Sequence, residues 1–319
     1  MADLPRARCL CLDIETARQD RMVLREIGAY RPDLDARLKL KGSASDLATQ
    51  LDAITSGAAF VLGHNVVAFD QPALAALHPE LALHRLPLID TLELSPVAFP
   101  QNPYHRLVKD YKLCTTTRND PVRDAELAYA LFLDQSEALR LRVADHPDEA
   151  LCLHFLLATE DGKGVANLFA SLRRALRPSL ADTRAAWERM TRGKVCITGQ
   201  RLVVDQFLTN PDWHKPLAYV LAWLRVAGGN SVLPPWVSLS FPRVREAIAI
   251  LRDTPCADPA CSWCQEQHDL EALLSRYFPG ITRFRSAPAT PDGRSLQRAI
   301  VENGFAGVTA GCKLIRAAD

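Results

Sequence analysis

Two carboxylates, Asp13 and Glu15, stand two residues apart inside the otherwise apolar segment 9–16, which reads CLCLDIET. The apolar neighbours predict a short buried β-strand. Residues i and i+2 of a strand point to the same face, so the two acids would project side by side. Adjacent carboxylates repel each other and are costly to bury unpaired. A hard divalent cation such as Mg²⁺, which prefers carboxylate oxygens, would neutralise them.

A third acid, Asp70, follows a second apolar run at 58–62. The run predicts another buried strand, and the residues after it, GHNVVAFD, predict a turn or a helix start. An Asp-x-Glu pair also occurs by chance at solvated strand ends, so the first pair gains weight only from such further acids at element boundaries.

A fourth acid, Asp124, lies in the first turn of a predicted helix. Asn119 or Asp120 suits the N-cap of that helix, and Pro121 suits its first helical position. The helix dipole stabilises a negative charge in a first turn without any catalysis, so this acid has a structural explanation as well as a functional one.

Taken in order, these segments resemble the motifs of the DEDD (DnaQ-like) 3′–5′ exonucleases. The first motif of that family is similar to LDIET at 12–16. The second motif, an Asn followed four residues later by Phe-Asp, is similar to Asn65, Phe69 and Asp70. Asp124 stands where the family has its last acid. An ordered set of motifs is far more specific than any one of them.

The resemblance covers roughly the first 140 residues, and the segments 27–30 and 88–91 look like two more of the family's strands. It implies an α/β fold, in which an RNase H-like mixed sheet is flanked by helices. The expected exonuclease-like domain spans residues 1–143, and a mostly helical accessory region with a small zinc element follows it.

The resemblance also implies an activity, namely hydrolysis of the phosphodiester bonds of DNA from 3′ ends with release of nucleoside 5′-monophosphates. Two Mg²⁺ or Mn²⁺ ions about 3.5–4 Å apart would clamp the attacking and leaving oxygens, with Asp13 bridging both ions. The expected ligands and catalytic acids are Asp13, Glu15, Asp70 and Asp124. The expected substrate-binding residues are Thr16, Asn65 and Phe69.

The chain departs from the family at the general base. The histidine subclass has its His where this chain has Asn119, and the tyrosine subclass has its Tyr where this chain has Asp120. An amide has no lone pair that titrates near neutral pH, so it cannot take a proton from water. His105 could fold over the site as a substitute or be an ordinary loop histidine, and Asn119 could orient the water.

The missing base leaves a second function open, a catalytically weak or inactive nucleic-acid-binding accessory module of a helicase. Retention of all four acids argues against it. A third interpretation treats the acids as ordinary surface carboxylates, but it does not explain why they fall in ordered motif positions. Metal binding distinguishes the third interpretation from the first two, and turnover distinguishes the first from the second.

A second group of metal-binding residue types has the spacing C-x4-C-x2-C-x3-H, in a polar segment that contains prolines. Three thiolates and an imidazole would make a closed tetrahedral shell for structural Zn²⁺. The spacing C-x4-C-x2-C also resembles that of some iron–sulfur proteins, and buried cysteines without a metal are the remaining alternative. The predicted zinc ligands are Cys256, Cys261, Cys264 and His268. The other cysteines are predicted to be buried apolar residues: Cys9, Cys11, Cys114, Cys152, Cys196 and Cys312.

The length of 319 residues suggests about two domains. Beyond the exonuclease-like part, the break at 145–148 precedes a predicted helical region at 150–253, and the zinc element occupies 254–270. The segment 271–319 resembles the opening of a RecQ-type superfamily 2 helicase but lacks that family's phosphate-binding loop, so this chain would not hydrolyse ATP by itself. We expect a helicase core in cis, the chain being truncated before the ATPase core.

The net charge of +1 gives no global basic signature, so binding of nucleic acid would depend on local patches. The N-terminus resembles neither a signal peptide nor a membrane span, because Asp13 and Glu15 break its first apolar run. We therefore expect a cytoplasmic protein without membrane partners. In that compartment its nine cysteines would stay reduced.

Overall fold

The computed structural model describes residues 7–18, 22–102, 120–159, 162–226 and 233–268. They form an α/β protein with a mixed sheet flanked by helices and a helical C-terminal region. The chain divides into two compact units, of which the first takes in Met1–Met190 and Val203–Ile248, and the second Thr191–Leu202 and Ala249–Asp319. The first unit thus combines the sheet with much of the predicted helical region. The helicase-like segment 271–319 lies outside the described residues.

The described residues form a sheet of five strands in the order β3-β2-β1-β4-β5. Strand β2 runs antiparallel to β1 and β3, whereas β4 and β5 run parallel to β1. The two strands predicted from apolar runs, at 9–16 and 58–62, and the two that the resemblance implied, at 27–30 and 88–91, are confirmed. The strands are β1 (Cys9–Arg18), β2 (Met22–Arg31), β3 (Ala36–Lys41), β4 (Phe60–Gly63) and β5 (Leu88–Asp90).

Helices cover the sheet and make up the rest of the described chain. Four of them begin at a proline, whose fixed φ and missing N–H suit a first helical position. The break predicted at 145–148 is confirmed. Helix α4 ends at Asp145 and α5 begins at Pro147, with His146 between them. The helices are α1 (Leu47–Thr55), α2 (Gln71–Leu77), α3 (Thr91–Ala98), α4 (Pro121–Asp145), α5 (Pro147–Leu157), α6 (Lys163–Arg173), α7 (Leu180–Thr191), α8 (Ile197–Asp205), α9 (Pro211–Arg225), α10 (Pro235–Ser240), α11 (Arg243–Ile248) and α12 (Ser262–His268).

The two faces of the sheet meet different helices. Leu12 and Ile14 of β1 are buried in an apolar core that also contains Leu51 of α1 and Leu74 of α2. Residues that alternate with them point to the opposite face, where α4 packs against β1 and β2. The acids of β1 therefore belong to the face that α4 covers.

Helix α4 is fixed on this face by aromatic and buried polar contacts. The ring of Tyr129 meets that of Tyr30 edge to face, with the ring centroids 6.0 Å apart. Gln135 is fully buried, and its Nε2 donates to the Thr91 carbonyl at 2.7 Å and to the Ser95 hydroxyl at 2.8 Å. Because a buried amide without partners would be costly, these bonds hold α4 in one position relative to α3.

No helix among the described residues combines the length and the apolar character needed to cross a lipid bilayer.

Helix α5 carries a buried histidine whose protonation opposes folding. His154 is 1% exposed, and its Nδ1 accepts a hydrogen bond from the Arg173 guanidinium at 2.7 Å. Because Arg can only donate, the ring is neutral in this contact. Burial, followed by the charges of Arg173 and Arg177, lowers the pKa of His154 from 6.5 to about 4. Protonation therefore favours the unfolded chain between these two pH values.

We predict that His154→Gln reduces the loss of stability in mild acid, because the amide oxygen still accepts from Arg173 and does not titrate. The wild type should lose up to about 3 kcal/mol more than the variant between pH 7 and pH 4. Urea unfolding followed by circular dichroism across this range measures the difference, and other titrating groups cancel between the two proteins. Parallel pH profiles would show that the prediction is wrong.

Candidate functional site

Three carboxylates meet where β1 passes the start of α4. Asp13 and Glu15 come from β1 and Asp124 from the first turn of α4, and each offers one oxygen within 4.8 Å of the others. All three residues are half-buried. Like charges at such separations repel, and partial burial strengthens the repulsion. A cation bound beside them would remove that repulsion.

The pleat of β1 explains why two of these acids share a face. Leu12 and Ile14 alternate with them and are only 1% and 4% exposed, on the core side. The pairing of β1 with β2 shifts register between Glu15 and Thr16. A β-bulge of this kind bends the strand and changes the direction of its side chains. Thr16, a predicted substrate-binding residue, is half-buried at this irregularity.

Gly28 on β2 allows the first turn of α4 to approach the sheet. It pairs directly with Asp13. A Cβ atom built on it would lie 2.1 Å from the carbonyl carbon of Pro121 and 2.2 Å from the backbone nitrogen of Val122. Only a residue without a side chain fits such a contact. Because Asp124 lies in the same helical turn, this close approach brings its carboxylate to that of Asp13.

Asp120 is the N-cap of α4, as one of the two sequence alternatives predicted. Its carboxylate accepts from the backbone N–H of Val122 at 3.4 Å and pairs with the Lys39 ammonium at 3.1 Å. The hydrogen bond to Asp120 is the main reason that the pKa of Lys39 is raised. The position of the base in the tyrosine subclass is therefore occupied here by a helix cap.

Asp70, the fourth predicted ligand, contacts β1 at Ile14, between Asp13 and Glu15, but lies outside the group of three meeting oxygens. It ends a π-helical turn, Val66–Asp70, is 3% exposed, and accepts a hydrogen bond from the Ile14 N–H at 2.9 Å. Burial, with smaller contributions from the charges of Asp90 and Glu15, raises the pKa of Asp70 to about 7. A cation close to this carboxylate would lower that pKa again.

Asp90 shapes the loop that leads to Asp70, a role that the sequence analysis missed. It is 3% exposed, and its carboxylate accepts from the backbone N–H groups of Asn65 at 2.8 Å, Val67 at 3.0 Å and Leu92 at 2.9 Å. These bonds cap α3 and hold Asn65 in the left-handed region, with φ of 69°. The sequence signal that could have revealed this role is an acidic residue between a predicted strand and a helix.

The remaining predicted site residues differ in accessibility. Phe69 directly precedes Asp70 and is 42% exposed. The side chain of Asn65 is half-buried. His105 and Asn119, the two residues considered for activating water, lie outside the described residues.

The carboxylate group fits a hard divalent cation. Its donor atoms are all carboxylate oxygens, which Mg²⁺ and Mn²⁺ prefer. Asp13, Glu15 and Asp124 can each offer one oxygen to the same ion, since these atoms lie within 4.8 Å of one another. An acidic triad able to hold a cation is thus present in the first unit.

A second group of metal-binding side chains lies in the second unit. Its four sulfur atoms lie within 4.8 Å of one another, and we call it the cysteine cluster: Cys196, Cys256, Cys261 and Cys264. Three members were predicted as ligands. The fourth differs from the prediction, because Cys196 takes the place assigned to His268, whose Nε2 lies 2.9 Å from the Arg252 carbonyl oxygen.

Cys196 is 1% exposed, so its predicted burial is confirmed, but its place in the cluster was not predicted. Its sulfur belongs to the cluster although it lies far upstream of the other three in the chain. Local spacing carries no signal for such a distant partner. Cys9, Cys11 and Cys152 are fully buried outside the cluster, as predicted. The remaining two, Cys114 and Cys312, lie outside the described residues.

The sulfurs of the cluster differ in their tendency to ionise. The Thr198 hydroxyl is the main cause that lowers the pKa of Cys256 to about 6. Burial is the main cause that raises the pKa of Cys264 to about 12. Bound to a soft cation such as Zn²⁺, all four would be thiolates.

No protein-family model, curated protein or solved structure matches this chain. The carboxylates of the first unit and the cysteine cluster of the second are therefore the features that bear on its function.

We predict that Mg²⁺ or Mn²⁺ raises the melting temperature of the wild type in metal-depleted buffer, because the ion relieves the repulsion among the three carboxylates. Asp124→Asn should raise the metal-free melting temperature by about 2–4 °C and abolish the metal-induced rise. Asp134→Asn on the exposed side of α4 is the matched control and should respond to metal as the wild type does. Equal responses in all three proteins would rule out a cation at this site.

We predict that Gly28→Ala weakens Mn²⁺ binding at least tenfold (about 1.4 kcal/mol), because the new methyl group pushes the first turn of α4, and with it Asp124, away from β1. Gly57→Ala is the control. Gly57 has φ of 74° with nothing within 4 Å of an added Cβ, so Ala should cost about 1–2 kcal/mol by backbone strain alone.

Isothermal titration with Mn²⁺ and urea unfolding separate the two effects of these substitutions. Gly28→Ala should lose affinity beyond any shared loss of stability, whereas Gly57→Ala should keep the wild-type affinity. Unchanged Mn²⁺ affinity in Gly28→Ala would contradict the positioning role of this contact.

Proposed function

We propose that this chain is a metal-dependent 3′–5′ exonuclease that hydrolyses the phosphodiester bonds of DNA and releases nucleoside 5′-monophosphates. The observation that carries the proposal is the meeting of Asp13 and Glu15 on β1 with Asp124 at the start of α4. These acids come from the first and last motifs of the DEDD (DnaQ-like) resemblance. Asp70, from the second motif, accepts a hydrogen bond from the Ile14 N–H, between Asp13 and Glu15 in β1.

The proposed fold class of the sheet-containing part is RNase H-like. Three antiparallel strands followed by two strands parallel to β1, in the order β3-β2-β1-β4-β5, support this assignment. Asp13 and Glu15 lie on the central strand β1, where they pair with β2 just beyond the residues of β1 that pair with β4. Helix α4 brings the last acid from outside the sheet.

Bound Mg²⁺ or Mn²⁺, two ions by the family resemblance, would lower the pKa of water and stabilise the charge that develops on phosphate. Asp13, Glu15 and Asp124 would hold the ions, and their half-burial leaves room for a substrate phosphate. The Ile14 N–H fixes the Asp70 carboxylate, which would complete the set of ligands.

The nucleic-acid partner would be held at its 3′ end. The exposed ring of Phe69 offers a surface on which a base can stack. Thr16 and Asn65 would contribute polar contacts, as the resemblance implies. A helicase core in cis would supply such ends by separating strands.

The attacking water is assigned to His105, which would take its proton, or to Asn119, which would orient it. Asp120, which stands at the tyrosine-subclass position, caps α4 and pairs with Lys39. Because Asp120 is occupied by these two contacts, the subclass position of the base is taken by a structural residue. This favours the second candidate function, a catalytically weak or inactive nucleic-acid-binding accessory module of a helicase. Turnover decides between the two candidates.

We also propose that the cysteine cluster carries Zn²⁺ in a structural role. The four sulfur ligands would leave no open coordination position for a substrate.

The proposal predicts stepwise shortening of a single-stranded DNA oligonucleotide labelled at its 5′ end, with Mg²⁺ or Mn²⁺ present. Asp13→Ala should reduce the rate at least about 100-fold, because loss of a ligand should cost no less than loss of a residue that supports one. Asp134→Ala, on the exposed side of α4, should retain wild-type activity. A denaturing gel resolves the ladder and gives the polarity of degradation.

Either of two results would count against the exonuclease. Immediate release of the labelled mononucleotide would indicate the opposite polarity. Binding of the oligonucleotide without shortening, with either metal, would favour the accessory module. If shortening occurs, His105→Ala and Asn119→Ala distinguish the two residues considered for activating water, since only loss of the general base should flatten the pH–rate profile.

A further inference from the structure

The four sulfurs of the cysteine cluster are held as if to bind one ion. They lie within 4.8 Å of one another. Four thiolates at about 2.3 Å from a central Zn²⁺ occupy the corners of a tetrahedron with edges of about 3.8 Å. In an iron–sulfur cluster the cysteines bind different iron atoms, which places their sulfurs further apart. The compact group therefore favours a mononuclear site.

Two sulfurs of the cluster, those of Cys261 and Cys264, also accept a backbone N–H. Such bonds stabilise the negative charge that four thiolates keep around one divalent ion, and they orient the ligands. A buried thiol in an apolar core has no need of them. The donors are the amides of Ile197 for Cys261 at 3.4 Å and of Cys256 for Cys264 at 3.3 Å.

We infer that Cys196, Cys256, Cys261 and Cys264 form a closed four-thiolate site for a single Zn²⁺ ion, with Cys196 as the fourth ligand. The inference deepens the zinc part of the proposed function and is independent of the exonuclease part. It assigns the metal, the coordination and the role of a cysteine that lies outside the local C-x4-C-x2-C segment.

His268 has a different role in the same unit. Its Nε2 lies 2.9 Å from the carbonyl oxygen of Arg252, and the Trp263 Nε1–H donates to the same oxygen at 3.4 Å. The Arg252 guanidinium lies over the Trp263 ring, 4.5 Å from its centroid. These contacts attach α12 to the segment before it, and His268 is not among the residues whose ligand atoms meet.

Among the described residues of the second unit, the apolar core around the site is small. In the described part of the second unit, the buried core cluster consists of three cysteines of the site, with Ile197, Cys256 and Trp263 packed against it. So little apolar area gives little stability, and small elements of this kind depend on metals or disulfides. The ion would join the start of α8 to the loop before α12 and to α12 itself.

The first test is the metal content of protein purified without added metal. The wild type and His268→Gln should contain one zinc ion per chain, and Cys196→Ser should lose most of it. Cys152→Ser is the matched control, because Cys152 is buried outside the cluster and its sulfur donates to the Thr183 carbonyl, a bond that a hydroxyl can keep. It should retain zinc.

A second variant covers the case in which Cys196→Ser does not fold. Cys196→His supplies another zinc ligand, so it should retain zinc, with an affinity at least tenfold lower in competition with a chromophoric chelator. After exchange of zinc for Co²⁺, the wild type should show the absorption of a tetrahedral four-thiolate centre. Cys196→His should lose part of the sulfur-to-cobalt charge-transfer intensity, and His268→Gln should keep all of it.

Three results would overturn the inference in different ways. Stoichiometric iron and labile sulfide in the wild type would replace zinc with an iron–sulfur cluster. Zinc retained in Cys196→Ser but lost in His268→Gln would restore the imidazole as fourth ligand. A wild type that contains no bound metal and takes up none would remove the zinc proposal itself, without bearing on the exonuclease.

Discussion

The contact between Gly28 and the first turn of α4 is the constraint on which the candidate active site depends. Asp13 and Glu15 are fixed by β1, but they form a three-carboxylate group only because the backbone at Pro121 and Val122 comes against β2. A side chain at Gly28 would prevent this approach. The rest of α4 then holds the arrangement, because the fully buried Gln135 bonds it to α3.

Polar groups buried near the site hold the surrounding backbone and the acids in position. Asp90 satisfies three backbone N–H groups at the turn before Asp70 and at the start of α3. The Ile14 N–H holds Asp70 in turn. A carboxylate kept at low exposure with few donors has a raised pKa, and a nearby cation reverses that shift. The electrostatics of the site are therefore coupled to the presence of a metal ion.

The two candidate metal sites differ in their ligand atoms, and each set of ligands suits the role proposed for its site. The first offers oxygens from Asp13, Glu15 and Asp124 on half-buried side chains, which suits hard ions that exchange water and contact phosphate. The cysteine cluster offers four sulfurs and backbone N–H donors, which suits a closed structural site. Hard and soft ligands would thus separate the proposed reactive function from the proposed stabilising one within the same chain.

The sequence by itself determined the local features: the strand that carries Asp13 and Glu15, the cap and proline that start α4, and the C-x4-C-x2-C segment. Periodicity, capping and spacing are properties of neighbouring residues, so they can be read without a structure. Only the tertiary structure decided that Cys196 replaces His268 in the cluster and that Gly28 admits α4. These contacts join residues that are distant along the chain, and they exist only once the sheet and helices have packed.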